Sequence, residues 1–401
     1  MLDSHINGRI HRALVNLTYR GDRHPGTDRN RAATRYVRAR MQEAGLKTEA
    51  LDFEVPEWRY GGASLSVSDT SFDARPGPFS AGVQAEGPLR VVRTFEELDG
   101  LDASGTVLLL CDAIASEQFT PRGYPFYSEP SHAAALDALE AARPLAIVAA
   151  TDTCAMTAAM SPFPLIEEVG FGVPHAYLHA NVGARLAEHD GKLVRVAIDS
   201  ETLPSTGVQP VGHKPGTDPD AGTVVVSAHI DTKPGTFGGI DNTAGVVVLL
   251  AVADLLCERE VAPTVEFVPF NGEDHAQAPG ELAYLAARPD LSAVRLAINI
   301  DAAGLPGGPT AYSGYGLDAK TEALAAALAE EFPGVAAGPQ WFASDHMVFA
   351  MRGVPAMAFT SMDFEAIMRD YAHTPADAPS ILDTALLAET AHYIAELIAR
   401  M

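Results

Sequence analysis

The sequence predicts an α/β protein: a mostly parallel mixed sheet sandwiched by helices, with a smaller α/β domain inserted into it. Three observations carry this. From Gly207 onward, short apolar runs alternate with helical patterns, as in strand–helix–strand units. Between residues 58 and 205 a second, self-contained strand–helix pattern interrupts the first. Residues 223–256, TVVVSAHIDTKPGTFGGIDNTAGVVVLLAVADLL, join a β-branched strand to a continuous apolar helix through a Gly-rich loop holding His229, Asp231, Asp241 and Asn242. The expected domains are 1–57 with 206–401, and the insert 58–205.

Taken in order, Ile6, Ile10, Leu14 and Leu17 recur at helical spacing. After the turn 20–27, Thr27 or Asp28 can cap a helix over 29–44, which Gly45 ends. Residues 47–55 alternate as a strand, and 61–87 read as loop-rich. The insert shows strands at 106–110, 145–150, 173–178 and 193–198, and helices at 132–142 and 180–188. Its histidines, His132, His175, His179 and His189, read as solvated or packing residues. Strands at 208–211 and 223–227 flank the turn 214–222 and predict a hairpin. Helix 242–256, strand 264–269, helix 279–287, strand 294–299, helix 319–331, strand 354–359 and helix 383–400 complete the chain.

The 401 residues are 47% hydrophobic and 20% charged, a globular composition. A formal net charge of -24 argues against nucleic acid or an anionic membrane as partner. Cys111, Cys154 and Cys257 are scattered and form neither a disulfide framework nor zinc-finger spacing. Residues 1–17 lack an apolar core behind a basic region, and the apolar run 244–256 is interrupted by Asp254 and short for a bilayer. A cytoplasmic protein with no membrane partner is the expectation.

Open α/β sheets place their chemistry beyond the carboxyl ends of strands. His229 and Asp231 follow one predicted strand, Glu273, Asp274 and His275 a second, and Asp301 a third. Asp345 and His346 lie in a loop before a helix, and Tyr371 and His373 in a late turn. Singly, each has a plain reading: Asp241 or Asn242 as a helix cap, His229 as a packed histidine, Asp345 as a cap, Asp301 as a turn residue. Together, His229, Asp241, Glu273, Asp274, Asp301 and His373 fall at edges expected to be neighbours. Two histidines with several carboxylates suit zinc, and there are too many carboxylates for one ion. A two-metal hydrolytic site uses such a set.

These motifs resemble those of the co-catalytic zinc aminopeptidases, whose relatives include glutamate carboxypeptidase II, glutaminyl cyclase and the transferrin receptor. The matching stretches are AHIDT (228–232), GGIDNTAGVVVLL (238–250), FNGED (270–274), INIDAAG (298–304), SDHMVF (344–349) and AHTPAD (372–377). Residues 20–46 resemble the family's N-terminal helix, and the end of the insert is similar to a protease-associated domain. The resemblance implies a zinc exopeptidase-like fold and two Zn2+ per chain. It implies His229 and Asp301 on one ion, Asp274 and His373 on the other, and Asp241 bridging. Glu273 would be the general base, and Asp231 would accept from the His229 ring and fix its tautomer. Tyr371 is a candidate oxyanion donor, while Asp345 and His346 either line the substrate pocket or cap a helix. One departure stands out: the family pattern is Glu-Glu where this chain has Glu273-Asp274, with the unusual His275 next. The expected reaction is release of the N-terminal residue of a peptide. The alternatives are glutaminyl-cyclase-like acyl transfer, hydrolysis of a small N-acyl compound, and a non-catalytic binding protein.

Overall fold

The computed structural model describes residues 4–154, 157 and 159–401. The chain forms two compact units, Met1–Val55 with Thr206–Met401, and Pro56–Ser205. The larger opens with α1 (Ser4–Thr18) and α2 (Asp28–Glu43). The apolar stripe Ile6, Ile10, Leu14 and Leu17 is buried, which is why α1 lies on the core. Thr27 caps α2 by accepting the Asn30 N–H at 3.2 Å. Strand β1 (Lys47–Val67) leads out of this unit into the insert.

The insert continues with β2 (Thr70–Pro76), β3 (Val83–Val92), β4 (Val107–Leu110), α3 (Pro130–Ala142), β5 (Ala146–Thr151), β6 (His175–His179) and α4 (Ala180–Ala187). The long strand β7 (Leu193–Lys214) leads back. β3, β4, β5 and β6 are parallel neighbours, with β7 antiparallel to β3 and β2 antiparallel to β6. Leu108, Leu110, Ile147 and Ala149 pack with α3 residues, while Val107, Leu109, Val148 and Ala150 pack with Leu186 of α4. That alternation fills both faces, as strands buried on two sides require. Residues 61–87 are not loop-rich but largely strand. Leu65, Val67 and Phe72 point inward, and the small polar residues between them that suggested a loop form the outer face.

In the larger unit the chain proceeds through β8 (Thr223–His229), α5 (Ala244–Leu256), β9 (Thr264–Phe270), α6 (Pro279–Ala287), β10 (Val294–Ile300) and β11 (Thr310–Tyr315). Then come α7 (Ala319–Glu331), β12 (Val335–Ala337), α8 (His346–Ala350), β13 (Ala356–Ser361), α9 (Phe364–Asp370) and α10 (Thr384–Arg400). The strand order is β7-β9-β8-β10-β13-β11-β12. The central strands β9, β8, β10 and β13 are parallel, and β7 and β11 run antiparallel to their neighbours β9 and β13.

The hairpin expected at 214–222 is therefore absent, because β9 lies between β7 and β8. The connection is strapped instead to the segment before β9, with Thr217 N–H donating to Val261 and Asp218 N–H to Ala262, at 2.9 and 3.1 Å. On one face of the sheet Val224, Val226 and Ala228 join α5, α1 and α10 in the main core. On the other, Phe270 meets Tyr284 of α6 and Phe349 of α8 at 5.5 and 6.4 Å. The apolar stretch 239–256 is long enough to cross a membrane, but 83% of it is buried inside the protein, as befits a core helix.

Candidate active site

Three adjacent parallel strands end side by side. Ser227 is level with Asn299, and His229 with Phe270. His229 is the last residue of β8, Asp301 follows the end of β10, and Glu273 and Asp274 lie just past β9. Asp241 comes from the turn before α5, and His373 from the turn after α9, where it takes a left-handed φ of 61°.

These side chains converge. The two carboxylate oxygens of Asp241 reach one histidine each: Oδ1 lies 3.1 Å from His229 Nε2, and Oδ2 lies 3.2 Å from His373 Nε2. Asp301 Oδ1 is 3.6 Å from His229 Nε2, and Asp274 Oδ1 is 3.3 Å from His373 Nε2. The donors thus sort into His229 with Asp301 and His373 with Asp274, with Asp241 common to both. One donor atom each from His229, Asp241 and Asp274 lie within 4.8 Å of one another. Glu273 Oε2 stands 4.0 Å from His229 Nε2.

Electrostatics fit this cluster to a cation. Burial opposes a charge on His229, yet Asp301, Asp231 and Asp241 raise its pKa well above the ordinary value. Burial likewise opposes a charge on His373, and Asp274 and Asp241 push it up to about 10. Asp241 is buried too, but the two imidazoles hold its carboxyl well below the usual range. Burial and the neighbouring Asp274, Asp301 and Asp241 raise Glu273 well above an ordinary glutamate. Such a surplus of carboxylate is stable only with positive charge among it. His229 Nε2 is buried near three carboxylate oxygens yet is aligned with none for a hydrogen bond. His229 Nδ1 faces the Asp231 carbonyl at 3.3 Å, which holds a proton on that nitrogen, so a cation displacing the proton on Nε2 would meet its lone pair.

The expected partnership of the Asp231 carboxylate with His229 needs correcting in detail. The carboxylate is 3.7 Å from Nδ1, while its short bonds come from the N–H groups of Gly272 and Asp274, at 2.9 and 3.1 Å. It therefore grips the loop bearing Glu273 and Asp274. Asp274 Oδ2 accepts the Lys233 N–H at 3.1 Å, and the shorter aspartate still reaches His373. His275 packs 5.2 Å from the His24 ring, and its Nδ1 accepts the Gln277 N–H.

Helix capping falls to Asn242, which accepts the Gly245 N–H at 2.8 Å and donates to the Ile300 carbonyl, freeing Asp241 for the cluster. Sequence reasoning missed Asp377, which accepts the Ile240 and Asp241 N–H groups and is pushed up to about 7 by burial and then by Asp241. Its only signal was its place in AHTPAD. Glu281 was missed as well. It is wholly buried on α6, and neither of its oxygens has a hydrogen-bond partner among the described residues.

Asp345 and His346 do not take the capping role that was one of their two readings. Asp345 makes no cap bond to α8; it is buried and faces Glu281 and Glu273, whose charges, after burial, raise its pKa. His346 is fully buried, donates from Nε2 to the Trp341 carbonyl at 3.0 Å, and packs on Tyr315 and Trp341. Neither lines the cavity described next. Tyr371 ends α9, and its carbonyl accepts from Thr374, while its hydroxyl has no hydrogen-bond partner among the described residues.

A cavity of about 600 Å³ lies between the segment after Asp301 and the helix leading to His373, walled by Leu305, Trp341, Met362 and Phe364. The Ser361 side chain joins these parts, accepting the Leu305 N–H and donating to the Ala302 carbonyl.

Residues 211–398 match peptidase family M28. No curated protein matches the chain. Among solved structures it is similar to an aminopeptidase from Aneurinibacillus sp. strain AM-1, with a TM-score of 0.75 at 17% identity over 98% of this chain and 93% of that one. It is similar to a zinc aminopeptidase from Bacillus subtilis, with a TM-score of 0.72 at 18% identity over 98% and 94%. A glutaminyl cyclase from Bacteroides thetaiotaomicron shares the fold less closely, with a TM-score of 0.53 at 12% identity over 100% and 99%.

Proposed function

Because residues 211–398 match peptidase family M28, we propose that the chain is a zinc-dependent aminopeptidase releasing the N-terminal residue of peptides. The observation that carries this reading is Asp241, whose two oxygens each approach a different histidine. His229 and Asp301 would hold one zinc, His373 and Asp274 a second, and Asp241 would serve both. Bound there, zinc supplies Lewis acidity, polarising the scissile carbonyl and lowering the pKa of water to about 7.

The protein's own residues handle the proton. Glu273 takes it from the attacking water and delivers it to the leaving amine. Asp231 keeps the Glu273 loop in place through the Gly272 and Asp274 amides. The Tyr371 hydroxyl is a candidate donor to the developing oxyanion. The apolar cavity walled by Leu305, Trp341, Met362 and Phe364 supports a preference for a large apolar side chain on the substrate. The insert, read as a protease-associated-like accessory domain, is proposed to influence substrate choice.

Purified protein should contain close to two zinc ions per chain and hydrolyse aminoacyl-nitroanilides, with a strong chelator abolishing turnover. Full activity in metal-free protein would overturn the reading. Turnover confined to N-terminal glutamine would favour acyl transfer, and turnover confined to N-acyl amino acids would favour the amidohydrolase. Zinc-free, inert protein would point to a binding role.

A further inference from the structure

Arg23 precedes α2, is 1% exposed, and reaches a loop 207–220 residues away in sequence. Its guanidinium has five N–H donors, and every group that bears them is bonded. Nε donates to the Ile230 carbonyl at 2.9 Å. Nη1 donates to Phe237 at 2.9 Å and to Gly21 at 3.4 Å. Nη2 donates to Gly238 at 3.3 Å and to Thr243 Oγ1 at 2.9 Å. Its backbone N–H donates to Thr232 Oγ1 at 2.8 Å.

Apart from Gly21, these acceptors lie on the two limbs of one loop. Ile230 and Thr232 continue from His229, while Phe237, Gly238 and Thr243 bracket Asp241. Close approach leaves no room at Gly238, where a Cβ would sit 3.0 Å from Arg23 Nη2 and 2.2 Å from Thr232 Cγ2. From its other side Arg23 is held by Asn30, whose Nδ2 donates to the Arg23 carbonyl at 2.8 Å and to Asn271 Oδ1 at 2.6 Å. Asn271 opens the loop that carries Glu273 and Asp274.

We infer that Arg23 is a positioning residue, a buried fork that sets the spacing between the His229 and Asp241 limbs and so holds the donors in the arrangement a metal needs. The fork shape matters more than the charge: a lysine ammonium is a single point with three donors and cannot reach carbonyls on both limbs at once. The charge is present as well. Burial lowers the Arg23 pKa to about 10, while Asp377, Asp231, Asp241 and Asp274 favour its cationic form, so it stays protonated at neutral pH.

This inference rests on the metal-site reading above. The test measures zinc affinity, by competition with a chromophoric chelator, and amide hydrogen exchange of the metal-free full chain. Arg23→Lys should bind zinc roughly 10–100-fold more weakly, the usual worth of a group that orients ligands. Exchange should quicken across 230–243 and not in the central strands. Thr243→Val, which removes one partner, should shift both in the same direction by less; it decides the matter if Arg23→Lys gives no folded protein. Tyr393→Phe, which loses a buried bond to the Ala325 carbonyl in the same unit, should leave zinc affinity unchanged. Unchanged affinity and loop exchange in Arg23→Lys, or in Thr243→Val when that variant decides, would overturn the inference. So would a Tyr393→Phe loss as large as that of Thr243→Val. If the wild-type protein binds no zinc, the proposed function fails instead, and loop exchange alone judges Arg23.

Discussion

The Asp231 carboxylate accepts the backbone N–H of Asp274 at 3.1 Å, so the residue two after one candidate ligand holds the loop of another. A second amide, from Gly272, reaches its other oxygen at 2.9 Å. Asn has one acceptor oxygen and would turn an NH₂ toward a backbone donor. Asp231→Asn should therefore loosen the loop, lowering kcat/KM by about 10–100-fold and weakening zinc binding. Parallel assays of zinc content and turnover check this, and wild-type values in both would show that the grip is dispensable.

Glu273 and Asp274 are neighbours with separate expected roles. Asp274 reaches His373 at 3.3 Å, whereas Glu273 stands on the His229 side at 4.0 Å. Glu273→Gln keeps size and loses the base, so kcat should fall by roughly 10²–10⁴-fold with zinc content unchanged. Asp274→Ala should instead give up one zinc. Metal content and turnover on both variants decide; zinc lost from Glu273→Gln and kept by Asp274→Ala would reverse the roles.

Much of this was legible in the sequence because the residues lie where strands end. His229, Asp274 and Asp301 each follow an apolar run, and parallel strands bring such ends together. Strand neighbours were less legible. The turn 214–222 looks like a hairpin, and only long-range pairing reveals β9 between its arms. Arg23, Asp377 and Glu281 carry no local signal of their partners, since Arg23 bonds a loop 207–220 residues away. Of the two readings of Asp345, the cap does not hold: Ser-Asp before a helix looks like a cap, whereas burial beside Glu281 turns the side chain elsewhere.

The cavity walled by Leu305, Trp341, Met362 and Phe364 predicts a selectivity change. Trp341 packs on Phe364 with ring centroids 5.1 Å apart, and both line the wall. Phe364→Ala should cut kcat/KM for leucyl and phenylalanyl nitroanilides by about 10-fold or more while sparing the alanyl substrate, since lost apolar contact penalises large side chains most. An equal loss on all three substrates would mean that the cavity does not receive the side chain.

Glu281 predicts a pH signature in stability. Burial, followed by the charge of Asp231, raises its pKa from 4.5 to about 8. The unfolded chain releases this proton near 4.5, and the folded protein holds it up to about 8. Between those values the folded state binds the extra proton, so this group makes stability fall as pH rises; below the window both states are protonated and the effect vanishes. Gln resembles the protonated acid and does not titrate. Glu281→Gln should thus melt close to wild type at pH 5 and progressively above it toward pH 8, read from melting temperatures at fixed zinc. The buried groups facing it, Asp231, Asp345 and His229, remain in both proteins; Asp345, whose own pKa Glu281 raises, titrates with it, so the difference between the curves reads the Glu281–Asp345 pair. A difference that stays constant with pH, or that grows in the opposite direction, would show that the folded protein holds Glu281 ionised.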